Sequence, residues 1–191
     1  MKIQANDVHI RNATLADAER LVEIYSYYIK NTAITFEYAV PTVEEFQDRM
    51  EGIMKRYPYL VIEKNQEVQG YAYANAYIDR AACDWSCEVS IYLARDVVKC
   101  GMGRMLYEAM ETVLRDMGMV NVYASIAYSD TEDEYLTKNS LQFHEHLEYR
   151  KIGEFYNCGY KFGRWYSLVW VGKVIGEYKK EQEPIKLYKY L

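Results

Sequence analysis

The stretch from Trp85 to Leu93, together with the turn after it, constrains this chain more than any other part. Its odd positions are Trp85, Cys87, Val89, Ile91 and Leu93, and its even positions are Ser86, Glu88, Ser90 and Tyr92. Such alternation gives a β-strand an apolar face and a polar face, and no helical spacing sorts these residues as cleanly. Lys99-Cys100-Gly101-Met102-Gly103-Arg104 follows, then a helical stripe of Met102, Leu106, Ala109, Met110, Val113 and Met117 that Gly118 ends. A strand, a glycine turn and a helix in succession suit a diphosphate. Glycine lets the main chain come close to the phosphates, and the free N–H groups at the helix start supply donors and partial positive charge. The turn is not a phosphate loop of the Gly-Lys-Ser/Thr kind, and the third glycine of a full dinucleotide fingerprint does not follow. By itself, a Gly-x-Gly at a helix start is equally a structural turn.

The rest of the chain reads as alternating helices and strands in one domain. Its 191 residues are half apolar and 15% aromatic, enough to bury a full core. Val8 to Arg11 reads as a strand. Thr14 caps a helix with Asp17 near its third position, carrying Ala18, Leu21, Ile24, Tyr25 and Tyr28 inward and stopping near Asn31. Thr42-Val43-Glu44-Glu45 is a capping box that opens a second helix to about Arg56. Tyr59 to Lys64 and Val68 to Asn75 flank Asn65-Gln66 as a hairpin.

Composition narrows the function. A net charge of −5 argues against a nucleic-acid backbone as the main partner. The four cysteines, Cys83, Cys87, Cys100 and Cys158, form no C-x-x-C pair, so reduced thiols and no metal site are expected. No signal-peptide core or membrane span can be drawn, and a cytoplasmic protein is expected.

Four segments in order carry a specific resemblance: Asp84-Trp85-Ser86-Cys87-Glu88-Val89-Ser90-Ile91-Tyr92, Gly101-Met102-Gly103, Ser140-Leu141-Gln142-Phe143-His144-Glu145-His146-Leu147, and Gly159-Tyr160-Lys161-Phe162-Gly163-Arg164-Trp165. From about Val8 to Val171 the chain resembles the phosphinothricin acetyltransferase branch of the GNAT N-acetyltransferases. The resemblance implies an α/β (α+β) fold, a mixed, splayed sheet of six or seven strands with helices on both faces. It implies acetyl-CoA between the central strands and direct acetyl transfer to the primary amine of a small molecule, an amino acid or its analogue. The domain would then cover 1–171. The part from Gly172 to Leu191 would be a polar extension, first helical and then extended. A homodimer is also implied.

Carried over residue by residue, the resemblance makes Glu88 the general base, since an amine attacks a thioester only when neutral and an α-amine with pKa of roughly 7.7 to 8.0 is mostly protonated at pH 7. His144 has two readings: a proton donor to the departing thiolate, or a satisfied core histidine between Leu141 and Leu147. The cofactor would meet Ile91, Tyr92 and Leu93 on the strand, Val98, Lys99, Cys100, Gly101, Met102, Gly103 and Arg104 at the turn, and Asn139 later on. Val98 stands where the family has Arg or Gln, and Thr137 where it has Asn. The acceptor would meet Phe36, Glu37, Arg80 and Lys161; an arginine suits a carboxylate through paired N–H donors. Cys83 replaces a family tyrosine on that wall. Two rival functions stay open, a non-catalytic acyl-CoA-binding module and a GNAT enzyme acting on a protein N-terminus or lysine.

Overall fold

A computed structural model describes residues 8–97 and 100–188, so Val98 and Lys99, expected at the cofactor turn, lie outside the described residues. Seven strands make one sheet: β1 (Val8–Asn12), β2 (Tyr59–Lys64), β3 (Glu67–Ala76), β4 (Ser86–Leu93), β5 (Asn121–Tyr128), β6 (Arg150–Lys161) and β7 (Arg164–Val174). Their order is β1-β2-β3-β4-β5-β7-β6, and every neighbouring pair is antiparallel except β4 with β5. The expected mixed sheet with helices on both faces is what forms.

Local chemistry explains most of the elements. Asn65 and Gln66 both take positive φ, 53° and 66°, as a two-residue hairpin turn between β2 and β3 requires. Helix α1 (Ala18–Asn31) buries Ala18, Leu21, Ile24, Tyr25 and Ile29; Tyr28, expected on that stripe, is only half buried. Helix α2 (Val43–Met54) opens on the capping box, with the Thr42 N–H donating to Glu45 at 2.8 Å and the Glu45 N–H donating to the Thr42 hydroxyl at 3.1 Å. Helix α3 (Met102–Met117) runs between Gly101 and Gly118, which both have the left-handed φ that side chains resist, and α4 (Asn139–His146) precedes β6.

The two sheet faces bury different sets. Cys87, Val89, Val122, Ala124 and Ile126 pack with Leu106, Met110 and Leu114 of α3. On the other face, Tyr59, Val61 and Tyr71 pack with Leu21 and Ile24 of α1 and Phe46 and Met50 of α2. Tyr92, on the face read as polar, half buries itself against that second cluster, because α1 and α2 cover this part of β4. The segment after β7 contains no helix among its described residues. It crosses the sheet base as a strap instead. The Trp85 indole donates to the Glu183 carbonyl at 2.7 Å, the Tyr178 hydroxyl donates to Asn121 at 2.7 Å, and the Lys186 N–H donates to the Met117 carbonyl at 2.8 Å. Polar composition hid the apolar anchors Ile185 and Tyr188, which pack against the α3-side core.

Candidate active site

The parallel pairing of β4 with β5 covers only Ser86, Cys87 and Glu88, opposite Asn121, Val122 and Tyr123. Beyond Glu88 the strands part, and the gap is a cleft. Val89, Ile91, Ala124 and Ile126 line it from the α3 face, and Ser90, Tyr92 and Ser125 line it from the other. Residues of both parities can line one cavity only when it passes between strands, so this cleft runs through the sheet. From Val89 onward the β4 edge that would have paired with β5 carries main-chain groups free for a ligand. Leu93, at the far end, is partly engaged: its carbonyl accepts from the Tyr28 hydroxyl at 2.7 Å.

Glu88 sits where the strands begin to separate. It is half buried, and the Ser125 hydroxyl donates to its Oε1 at 2.5 Å. Ser125 escaped the sequence reading, although the period of β5 puts it on the Glu88 face two residues after Tyr123, the residue paired with Glu88.

His144 is buried on the α3 face and lines the cleft. Its Nδ1 lies 2.7 Å from the Ser140 carbonyl, and its Nε2 lies 2.8 Å from the Tyr107 hydroxyl. A carbonyl can only accept, which puts the ring proton on Nδ1 and makes Nε2 the acceptor for Tyr107. Burial pushes the His144 pKa down to about 4, so the ring is neutral near pH 7. Burial raises the Tyr107 hydroxyl well above its usual range. Tyr107 also went unrecognised. It stands four residues after Gly103 on the buried face of α3, a spacing that could have marked it.

The two turn glycines differ. Gly101 has φ 84° and open space where a Cβ would stand, whereas a Cβ on Gly103 would come within 3.2 Å of Phe143 and 3.3 Å of Leu93. The first is a backbone requirement at an open surface; the second lets α3 close onto α4 and β4. Cys100 is exposed, Met102 is buried in the core, and Arg104 is exposed and ion-paired with Glu108 at 2.8 Å. Of α4, Ser140 and His144 line the cleft, while Asn139 is exposed at the helix start.

On the opposite face a recess adjoins the cleft at Tyr92, walled by Tyr25, Phe46, Tyr73 and Tyr92 and floored by Glu37 and Arg49. Glu37 Oε1 accepts from Arg49 at 2.8 Å and from the Tyr25 hydroxyl at 3.1 Å. Tyr73 pairs with Ser90 across β3 and β4, which joins the recess to the Glu88 face. Phe36 is half buried against the cluster of Ala33, Ala127, Leu136 and Tyr166. Arg80 is exposed in the loop after β3 and turns one guanidinium N–H to the Asp79 carbonyl at 2.8 Å. Lys161 is buried, and its amine donates to the Thr35 carbonyl at 2.7 Å.

A sheet parted between parallel central strands, with a glycine turn leading into α3, is the architecture of the GNAT acetyltransferases. The acetyltransferase (GNAT) domain family matches residues 10–170, and the chain belongs to it. Within that family it stands in the phosphinothricin acetyltransferase-like branch. It is 31% identical over 168 residues to the phosphinothricin N-acetyltransferase of Streptomyces viridochromogenes, covering 88% of each chain. It is 26% identical over 170 residues to the L-methionine sulfoximine/L-methionine sulfone acetyltransferase of Salmonella typhimurium, covering 88% of this chain and 95% of that one. Its fold superposes on a phosphinothricin acetyltransferase from Sinorhizobium meliloti, solved in complex with acetyl-CoA. The TM-score is 0.83 at 27% identity, over 95% of this chain and 98% of that one.

Proposed function

We propose that this acetyltransferase moves the acetyl group of acetyl-CoA onto the primary amine of a free amino acid or amino-acid analogue, of the phosphinothricin or methionine sulfone/sulfoximine type. The observation that carries the reading is the position of Glu88, a half-buried carboxylate where β4 and β5 part, hydrogen-bonded to Ser125, which lines the cleft between them. The acceptor class is supported by the names of the relatives.

In this reading the cleft takes the cosubstrate. A thioester arm lies along the free edge of β4 at Val89 to Tyr92, and the diphosphate lies before Gly101, where nothing occupies the place of a side chain. Glu88 takes a proton from the acceptor ammonium, and the neutral nitrogen attacks the thioester carbonyl. The C–N bond forms, the C–S bond breaks, and the electron pair leaves on sulfur. A thiol with an ordinary pKa of roughly 8.5 departs near neutral pH without a strong acid. The acylated nitrogen sheds its second proton and the thiolate takes one up from solvent, because the Tyr107 hydroxyl, which lines the cleft, gives its own proton to His144. Phe36, Glu37 and Arg80 surround the acceptor, with Arg80 available to a carboxylate. The reading includes a homodimer, for which exposed Phe155, Tyr156 and Trp165 on β6 and β7 are suitable surface, and a cytoplasmic protein, in keeping with four free thiols.

Glu88→Gln tests it. General base catalysis is commonly worth ~10² to 10⁴ in rate, so kcat/KM near neutral pH should drop by that order while acetyl-CoA affinity holds. Activity should recover as pH rises past the amine's own pKa. CoA release, followed over a panel of amino acids, their sulfone, sulfoximine and phosphinate analogues and a short peptide, reads both rate and acceptor. Full activity of the variant at neutral pH would make Glu88 a spectator.

A further inference from the structure

The segment Gly159-Tyr160-Lys161-Phe162-Gly163-Arg164 takes no part in the reaction above, yet Gly159, Tyr160 and Lys161 all touch the loop that carries Phe36 and Glu37. Phe162 and Gly163 have φ 51° and 76°, so they turn β6 into β7 as a two-residue hairpin closed by the Lys161–Arg164 pair. The period of β6 then sends Gly159 and Lys161 to one face, and Gly159 pairs with Tyr166, which is buried beside Ala33 and Ala127. The loop between α1 and α2 lies on that face.

Four contacts of this loop reach elements far away in sequence. The Ala33 N–H donates to the Tyr135 carbonyl at 3.0 Å. The Thr35 carbonyl receives the Lys161 amine at 2.7 Å. The Phe36 ring rests on Gly159 so closely that a Cβ there would come within 2.3 Å of it. The Tyr38 hydroxyl donates to the Tyr160 carbonyl. Thr35 also accepts the Glu37 N–H at 3.3 Å, which passes the anchorage on to Glu37. Lys161 is 3% exposed, and burial lowers the pKa of its amine. Its amine is turned toward the loop's main chain, to which it donates.

We infer that Gly159 and Lys161 are positioning residues: the β6–β7 hairpin is a clasp that holds the loop at 33–38, and through it Phe36 and Glu37, in the geometry that binds the acceptor amine. This rests on the proposed function for the acceptor itself, but the clasp is a property of the fold.

Two variants test it. Gly159→Ala drives a methyl into Phe36, and Lys161→Met keeps the stem while removing the amine. Each should raise the acceptor KM by about tenfold, leave kcat within about twofold, and leave acetyl-CoA affinity unchanged, because a misplaced loop loses binding rather than chemistry. A merely destabilised protein would not split the constants this way. In the double variant with Phe36→Ala, Gly159→Ala should add little, since its effect runs through that ring. If Lys161 instead touched the acceptor's carboxylate, Lys161→Met would penalise amino acids and spare amines lacking the carboxylate; the clasp requires one factor for both. Hydrogen exchange at residues 33–38 should quicken in both variants, and this readout needs no turnover. A wild-type protein that acetylates nothing would therefore remove the proposed function, while exchange would still decide the clasp. Unchanged acceptor KM in both variants, or unchanged exchange, would overturn it.

Discussion

On the α3 side of the cleft, strand β4, the glycine turn and the helix follow one another within residues 86–117. The proposed acceptor side instead draws on a loop after α1, Arg49 of α2, Tyr73 of β3 and the hairpin at 159–164. The first side is made by consecutive residues whose backbone chemistry is local: a strand period, a left-handed glycine, a helix start. The second is made by contacts across long loops, for which chain entropy must be overcome before any contact forms. The α3 side, the proposed cosubstrate side, can therefore be read from a short segment and should tolerate change elsewhere, while the other side depends on the whole sheet being assembled.

The largest effect expected beyond Glu88 tests how separately the α3 side behaves. His144 has its folded pKa pushed down to about 4, below the ordinary histidine value of 6.5. Between those values the unfolded chain binds a proton that the folded protein does not. Stability is thus full above about pH 6.5 and falls with pH by roughly 1.4 kcal/mol per unit, ~3 kcal/mol in all by pH 4. In His144→Gln that part of the slope should vanish, leaving the smaller acid loss from Asp17 and Asp133, whose carboxyls are also held below their usual range. Urea unfolding from pH 4 to 7 measures it, and an equal slope in both proteins would show that the acid sensitivity lies elsewhere.

Gly101→Val should be next. The φ of 84° costs a side chain roughly 1–2 kcal/mol in folding, and the branched group enters the space before the turn. Acetyl-CoA at a hundredfold excess over Kd should add about 2.7 kcal/mol to the wild-type protein, seen as a rise in Tm. The variant should lose most of that rise while keeping a folded baseline. An undiminished shift would detach the turn from the diphosphate and weaken the contrast between the two sides.

The smallest effect belongs to Thr42, which ends the acceptor loop and caps α2. Thr42→Ala should cost ~1 kcal/mol, the usual value of an N-cap, without altering acetyl-CoA affinity. A matching loss of acetyl-CoA binding in titration would mean that the loop and the cofactor side move together.

What the sequence by itself determined follows this division. The β2–β3 hairpin at Asn65-Gln66, the capping box at Thr42 and the limits of α3 at Gly101 and Gly118 were all legible, because each is decided by the φ range or side-chain reach of a few adjacent residues. The alternation in β4 fixed which residues share a face, and so placed Glu88 with Ser86 and Ser90. It could not show that the pairing with β5 ends at Glu88, nor that α1 and α2 cover Tyr92. The strap after β7 and the partners of His144, Lys161 and Glu37 were likewise invisible. Whether a side chain turns to a carbonyl, a ring or a cleft depends on what the fold brings beside it. Tyr107 meets His144 from 37 residues away, and Lys161 meets Thr35 from 126. Local pattern decides conformation within a turn or two of chain. Burial, tautomer and ion pairing belong to neighbours in space, and only the closed sheet supplies those.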